Sequence, residues 1–539
     1  MYLENYIQNF EAWQCGESIF IEAPTGMGKT SFVLNQLVAD AIRNGREVLF
    51  MSNRFLLKEQ VKFMVARKQG IPAEDSKWLE GIEEFEGITI VSYQKIQALM
   101  EVDRAGKYLD QSRYKYTVFD EVHYILEDSM FNPHIMYLLE YIQKVRNVKI
   151  FISATLQETK EYLLSSGVLG KIIPGTERVI NEILVKEQLD TYTFRCIGNE
   201  KYIWHYSIPR RADKIKVKYF TDFSQIAELI NQSDEKWLVF VSNKASVGMW
   251  KGEIQKSVDV IYADDKDQEI VEQIVRYERF EKQVLITTKL LDNGVNFKDQ
   301  RLRNVVIDTI SRVEFMQMLG RKRISGDESI NLYIPKKSRK YFAGYFNLSV
   351  RKCLNYVNDS KTSEVLMKEC LADPTVYEIV RRYYVVQEGE LTLNPAGAYK
   401  LSSLAGFLSD MQQKMEEDEW AYVKEQLKWL DMREAFSEEN ALPDFKGEKI
   451  NAEIQSFLEE SSGCWMGKTK QLEFRKELGK LMVKVGLYEK RGNRVPGKNV
   501  IEKMLLTKYP RYRLAVKKSS RKDDETLWRV EVKNNGLGD

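Results

Sequence analysis

Residues 23–30 read Ala-Pro-Thr-Gly-Met-Gly-Lys-Thr. Gly26 and Gly28 allow the backbone to curl until its N–H groups converge on anionic oxygens, the geometry of a phosphate cradle. Lys29 supplies a cation for the β- and γ-phosphates of a nucleotide, and Thr30 a hydroxyl for Mg²⁺. Ala23, Pro24, Thr25 and Met27 complete the loop. Further on, Tyr-Thr-Val-Phe-Asp-Glu-Val-His (116–123) places two carboxylates behind a short apolar run. Asp120 is suited to hold Mg²⁺ through its water shell, and Glu121 to polarise an attacking water. His123 can relay the nucleotide state. Ser153 and Thr155 of Ser-Ala-Thr (153–155) can bond the turn that holds it. A third cluster, Arg321, Lys322 and Arg323, stands directly behind the apolar turn that begins at Glu314. Three adjacent cations repel one another and call for an anion.

These residues need elements to position them. "SIFIEA" (18–23) reads as a strand, and the following segment to Gly45 as a helix. "EVLFMS" (47–52), "GITIVSY" (87–93), "KYTVFDE" (115–121) and "VKIFISAT" (148–155) read as further strands, with "RFLLKEQVKFMVARKQG" as a helix between the first two. Runs this apolar, alternating with helices, imply a parallel sheet covered on both faces. The cradle and Asp120 then fall at the carboxyl edge of the sheet, where such sheets bind ligands. The pattern restarts with "EKWLVFVS" (235–242), "SVDVIYA" (257–263), "QVLITT" (283–288), "NVVIDT" (304–309) and "SINLYIP" (329–335). Two tandem α/β domains are expected, joined near 205–230.

The chain has 539 residues, 43% hydrophobic and 30% charged, as expected of packed domains. No apolar run approaches the roughly 18 residues of a membrane span. Five scattered cysteines, never in a Cys-x-x-Cys pair, and three histidines argue against a structural zinc site and for a reducing compartment. The opening residues lack a basic segment followed by an apolar core, so a cytoplasmic location is expected. The net charge of +2 conceals an uneven distribution. Residues 465–539 carry 20 Lys/Arg against 9 Asp/Glu, and residues 346–464 carry 13 against 22. A neutral body, an acidic helical region and a basic tail imply separate roles. The tail reads as two helices, a basic loop and two strands, a winged-helix-like pattern.

Taken together, "APTGMGKT … DEVH … SAT" resembles the first motor domain of superfamily-two helicases, in the DExH group of the DEAH-box type. "MSNRFLLKEQ" (51–60) resembles motif Ia, and "VSYQKI" (91–96) the nucleic-acid-contacting motif after it. "LVFVSNKASV" (238–247) resembles motif IV, "ITTKLLDNGVNF" (286–297) motif V, and "QMLGRKRI" (317–324) motif VI. The last departs from the family pattern, with Ile324 at the final arginine position and Arg323 one place earlier. Asn296 stands where an Asp is common.

The resemblance implies two RecA-like P-loop domains, at 1–205 and 206–345, followed by the acidic helical region 346–464 and the basic module 465–539. It implies an ATP- and Mg²⁺-dependent enzyme that moves on single-stranded nucleic acid, with DNA favoured over RNA and 3′-to-5′ polarity. Gly294 and Asn296 would approach the nucleotide. Arg321 would be the principal arginine finger, Arg323 would stand in for the missing arginine, and Gln317 would orient water or the γ-phosphate. Such fingers are worth about 10³–10⁵ in rate. Phosphate contacts are expected from Arg54, Ser92, Tyr93, Gln94, Ser242, Asn243 and Thr288. In the tail they are expected from Lys490, Arg491, Arg494, Lys498, Lys517, Lys518, Arg521 and Lys522, with Tyr512 and Trp528 as core aromatics or stacking platforms. The alternative is a nucleic-acid-stimulated ATPase serving a restriction, defence or mobile-element complex, with 346–464 as its protein-docking surface. A P-loop kinase would leave motifs V and VI without a purpose, and no nuclease constellation is present.

Overall fold

The computed structural model describes residues 3–52, 61–62, 64–66, 68, 70, 81–169, 191–196, 199–208, 212–242, 244–261, 270, 273–274, 277–288, 296–324, 327–359, 361–387, 389–488, 494–518 and 526–533. The helix expected after residue 52 falls largely outside them.

The first sheet has eight strands: β1 (Ser18–Glu22), β2 (Glu47–Ser52), β3 (Glu84–Phe85), β4 (Ile88–Ser92), β5 (Tyr114–Asp120), β6 (Val148–Ser153), β7 (Thr191–Cys196) and β8 (Asn199–Ser207), in the order β3-β4-β2-β5-β6-β1-β8-β7. All neighbours are parallel except the antiparallel pairs β3/β4 and β7/β8. The central strands are buried along almost their whole length, which is why the sequence there shows unbroken apolar runs instead of alternation. Register pairs Glu22 with Ser153 and Asp120 with Ile152, so β1, β5 and β6 end together at one edge.

The second sheet contains β9 (Ile215–Phe220), β10 (Lys236–Phe240), β11 (Val258–Ile261), β12 (Val284–Thr287), β13 (Leu302–Ile307) and β14 (Ile330–Pro335), all parallel, in the order β11-β12-β10-β13-β14-β9. β9 is an edge strand, and its exposed residues alternate with buried ones. That half-covered pattern is weaker than an apolar run, so it was not among the expected strands.

Residues 338–441 are mostly helical, with one hairpin, β15 (Tyr384–Gln387) and β16 (Glu390–Leu393); the region expected to be helical was 346–464, whose last part belongs to the next unit. Caps fix where the helices start. The Ser338 side chain accepts from the Tyr341 N–H, Asp373 from Thr375 ahead of Pro374, and Asn394 from Ala396 and Gly397 around Pro395. These helices bury Leu401, Leu408, Tyr422 and Leu427 in one core with Leu238, Val305, Phe315 and Leu332 of the second sheet.

Residues 222–232 and 442–539 form a compact unit of their own. The charge of the chain changes sign near 465, whereas the packing of this unit begins at Leu442. The helices Phe445–Glu460, Lys468–Lys484 and Lys498–Lys508 pack with the antiparallel hairpin β17 (Tyr512–Lys518) and β18 (Thr526–Val532). Trp528 and Tyr512 are buried in that core and are not stacking platforms.

Candidate functional site

The cradle follows β1, whose strand end is tied to β6 by the Ala23 N–H on the Ser153 carbonyl at 3.0 Å. Gly26 and Gly28 have φ of +87° and +78°, a conformation that only glycine adopts without strain. The loop thus curls into the helix that begins at Lys29. Lys29 Nζ lies 3.3 Å from the Ala23 carbonyl and 3.6 Å from Glu121 Oε1. Thr30 stands in the same first helical turn, partly buried.

Asp120 ends β5 and is buried, and Glu121 follows with φ +51°. A positive φ in a non-glycine residue marks a backbone held against its preference by its surroundings. Here the Val122 N–H is held by the Ile152 carbonyl at 3.1 Å. His123 is 3% exposed. Its Nδ1 lies 2.8 Å from Ser153 Oγ and 3.3 Å from Glu121 Oε2. Ser153 Oγ in turn accepts from the Thr155 N–H at 3.0 Å. The residues expected to couple the turn are therefore in one hydrogen-bonded chain.

That chain crosses to the second lobe, where His123 Nε2 meets Nε2 of Gln317. With the Gln317 amide nitrogen as donor, the imidazole accepts at Nε2 and carries its proton on Nδ1, facing Ser153 and Glu121. Gln317 sits on the helix Arg312–Arg321, capped by the Ser311 side chain on the Glu314 N–H. Two further contacts join the lobes. Arg312 Nη2 lies 3.7 Å from Glu22 Oε1, and Gly320 comes so close to Thr25 that a methyl group there would collide with the threonine side chain.

The cation triplet divides by backbone geometry. After the helix the chain turns extended at Lys322, with the Phe297 N–H on the Arg321 carbonyl at 2.8 Å and the Arg323 N–H on the Phe297 carbonyl at 2.9 Å. Successive side chains of an extended segment point opposite ways. Lys322 turns into its own lobe, paired with Glu328 and bonded to the Asp299 carbonyl at 3.1 Å. Ile324 packs on the second-lobe core. Arg323 turns toward the cradle. A Cβ on Gly26 would lie 3.1 Å from its Nη1. Its Nε donates to Asn296 Oδ1 at 2.9 Å, while Nη1 is buried with no hydrogen-bond partner among the described residues. Burial pulls this guanidinium below its ordinary value, against the opposing charges of Glu121 and Glu278. A buried donor without an acceptor, aimed at a curled glycine loop, fits an anion such as a phosphate. Arg321 is also buried, at 6% exposed.

The expected nucleic-acid residues divide too. Ser92 caps the helix Tyr93–Glu101, accepting from the Lys95 N–H at 3.2 Å, and Gln94 is exposed, as is Ser242. Thr288 is partly buried. Tyr93 must be corrected. Its ring is fully buried and stacked on Tyr124 at 5.2 Å, and its hydroxyl donates to the Asp120 carbonyl at 2.8 Å. It supports the carboxylate turn from beneath and offers nothing to a strand of nucleic acid. Arg494, Lys517 and Lys518 are exposed, and Lys498 is partly buried beside Glu502 at 3.6 Å. Arg54, Asn243, Gly294, Lys490, Arg491, Arg521 and Lys522 lie outside the described residues. One residue was missed. Trp465, half-buried, has Lys517 Nζ 4.1 Å and the Arg529 guanidinium carbon 4.5 Å from its ring centroid. The ring attracts both cations through its π face, and its partners lie more than 50 residues on in the chain, so no local motif announces the cluster.

Residues 6–163 match the DEAD/DEAH box helicase family. The matched segment contains the cradle, the Asp120–His123 turn and the Ser153–Thr155 turn. A protein of Sulfolobus islandicus filamentous virus (isolate Iceland/Hveragerdi), named "Putative helicase 22", is 22% identical over 350 residues, 59% of this chain. The chain spans 61% of that relative's length. Among solved structures, S. cerevisiae Dbp5 bound to RNA and ADP BeF3 is 15% identical with a TM-score of 0.40, over 59% of this chain and 78% of that one. The DEAD-box helicase Mss116 bound to ssRNA and UDP-BeF is 13% identical with a TM-score of 0.42, over 74% of this chain and 84% of that one. Among the described residues no helix is long and apolar enough to cross a membrane, and no group of three or more His, Cys, Asp or Glu could hold a metal ion.

Proposed function

We propose that this chain is an ATP-driven helicase or translocase that hydrolyses ATP between its two lobes while gripping single-stranded nucleic acid. The observation that carries this reading is the buried Nη1 of Arg323, which has no hydrogen-bond partner among the described residues and is held over Gly26 from the opposite lobe. In this reading the loop 23–30 and Lys29 hold the triphosphate, and Lys29 exchanges its contact with Glu121 for the phosphates. Thr30 and Asp120 would hold Mg²⁺, which would supply positive charge to offset that of the phosphates. Glu121, released from Lys29, takes the proton of the attacking water. His123 keeps its proton toward Glu121 and links it to Gln317, so the carboxylate is fully placed only when the lobes are closed. Arg323 stabilises the charge that develops on the transferred phosphoryl group, and Arg321, also buried, is the second candidate finger.

Ser92, Gln94, Ser242 and Thr288 suit weak backbone contacts across the lobes. The basic unit 442–539, read as a winged-helix-like module, adds salt-sensitive holding through Arg494, Lys517 and Lys518 around Trp465. A second reading, a motor subunit of a larger assembly, is favoured by apolar side chains left exposed on the helical region, with Leu371 at 90% and Leu348 at 88%. Strand displacement of a tailed duplex by the purified chain separates the two readings.

The deciding measurement is the ATPase rate with and without single-stranded DNA, RNA and duplex, beside Lys29→Ala. We expect stimulation by a single strand and a loss of at least about 10³ in the variant. A rate unmoved by every nucleic acid would remove the motor reading.

A further inference from the structure

The helix Pro395–Glu417 belongs to both lobes. Its first turn is embedded in the first lobe, where Ala396 is fully buried in one core with Tyr93, Tyr124, Leu126 and Leu156. Asn394, which caps this helix, also donates its Nδ2 to the Ser129 carbonyl at 2.8 Å. From Leu401 onward the same helix buries Ala405, Leu408, Met411 and Met415 in the second-lobe core. Twenty-three residues of α-helix span about 34 Å, a rigid strut at this scale.

Lys400 stands where the strut passes from one core to the other. Its Nζ lies 2.6 Å from Glu127 Oε1 and 2.7 Å from Glu158 Oε2. Glu127 ends the short helix Tyr124–Glu127, which begins directly after His123. Glu158 lies in the first turn of the helix Gln157–Ser165, three residues after Thr155. One ammonium thus ties together the segments that leave the Asp120–His123 turn and the Ser153–Thr155 turn. Those are the two turns joined at His123 Nδ1, and the helix holding them is rooted in the lobe that carries Gln317 and Arg323.

We propose that Lys400 is a positioning residue that fixes the two turns of the first lobe to a strut of the second, so that Gln317 meets His123 and Arg323 meets the cradle before any nucleotide binds. Its value for hydrolysis rests on the proposed function above; the mechanical claim does not. All three side chains are mostly buried, so removing the ammonium leaves two facing carboxylates that push the segments apart.

Amide hydrogen exchange on the full chain without nucleotide tests the mechanical part in Lys400→Met, which keeps the length of the side chain and loses its charge. Exchange at 121–129 and 153–160 should rise about tenfold or more, with strands β10, β13 and β14 unchanged. Glu158→Gln, a milder change, should raise the same two segments to a smaller extent, and Lys400→Arg should restore most of the protection. The catalytic part is read separately. In Lys400→Met the ATPase kcat should fall about tenfold, with KM for ATP changed less than twofold, because the phosphate contacts are intact but the closed geometry is rarer. Unchanged exchange at the two segments in both variants would overturn the proposal whatever the ATPase does. A rise spread over the whole chain would overturn it as well. A wild-type chain without ATPase activity would instead strike the functional reading and leave the exchange result to decide the strut.

Discussion

Arg323 and Lys400 are both largely buried cations, and they are treated in opposite ways. Lys400 has two carboxylates within hydrogen-bonding distance, and its pKa is raised; burial pushes it down, but Glu127 and Glu158 more than compensate. Among the described residues Arg323 has one neutral amide oxygen and a buried nitrogen without a hydrogen-bond partner, and burial lowers its pKa. A charge that has lost water must recover the loss from neighbours or from something that arrives later. Lys400 recovers it inside the fold and so contributes to structure. Arg323 is left short at the cleft and so is poised for an anion.

This contrast can be broken most directly at Arg323. Arg323→Met should lower the ATPase kcat by about 10³ or more while leaving thermal stability equal or slightly higher, because an uncompensated buried charge is removed. If Arg321→Met abolished hydrolysis while Arg323→Met retained it, the assignment of the two arginines would be reversed. Lys400→Met should behave in the opposite manner in denaturant titration, losing about 3 kcal/mol of stability, since breaking a buried pair strands its partners.

A third buried base settles the same problem by staying neutral. Burial, with Lys160 3.2 Å away, pulls the pKa of His205 down to about 4. Below the ordinary value near 6.5 the unfolded chain takes up this proton and the folded chain does not. Stability is therefore complete above pH 6.5 and falls as pH drops toward 4, by up to about 3 kcal/mol. His205→Asn should flatten that portion of the stability-against-pH curve relative to the native chain. The smallest effect is expected at Trp465. Trp465→Ala should weaken single-strand binding about tenfold in a polarisation assay, with nucleotide hydrolysis at saturating strand unchanged.

Much of the architecture was legible because parallel strands buried on both faces write unbroken apolar runs. "SIFIEA", "EVLFMS" and "VKIFISAT" became β1, β2 and β6 within a residue or two at each end. The cradle and the Asp120–His123 turn were legible because their chemistry is local, and family likeness over residues 6–163 agrees with them. Tyr93 was misread because an aromatic next to Ser92 and Gln94 looks available until its burial is known. The hairpin 384–393 was missed because two strands of four residues leave too short a pattern against the surrounding helices.

The sequence alone determined which groups could hold a triphosphate, since a glycine-rich loop, a lysine, a hydroxyl and a carboxylate pair act through bonds a few residues long. It could not determine that Arg323 lies against the cradle, that Lys322 points away, or that Lys400 ties two turns of the other lobe together. The first and last of these depend on contacts between residues more than 200 positions apart, set only when both sheets and the strut between them have packed, and the second on the extended backbone that follows the helix.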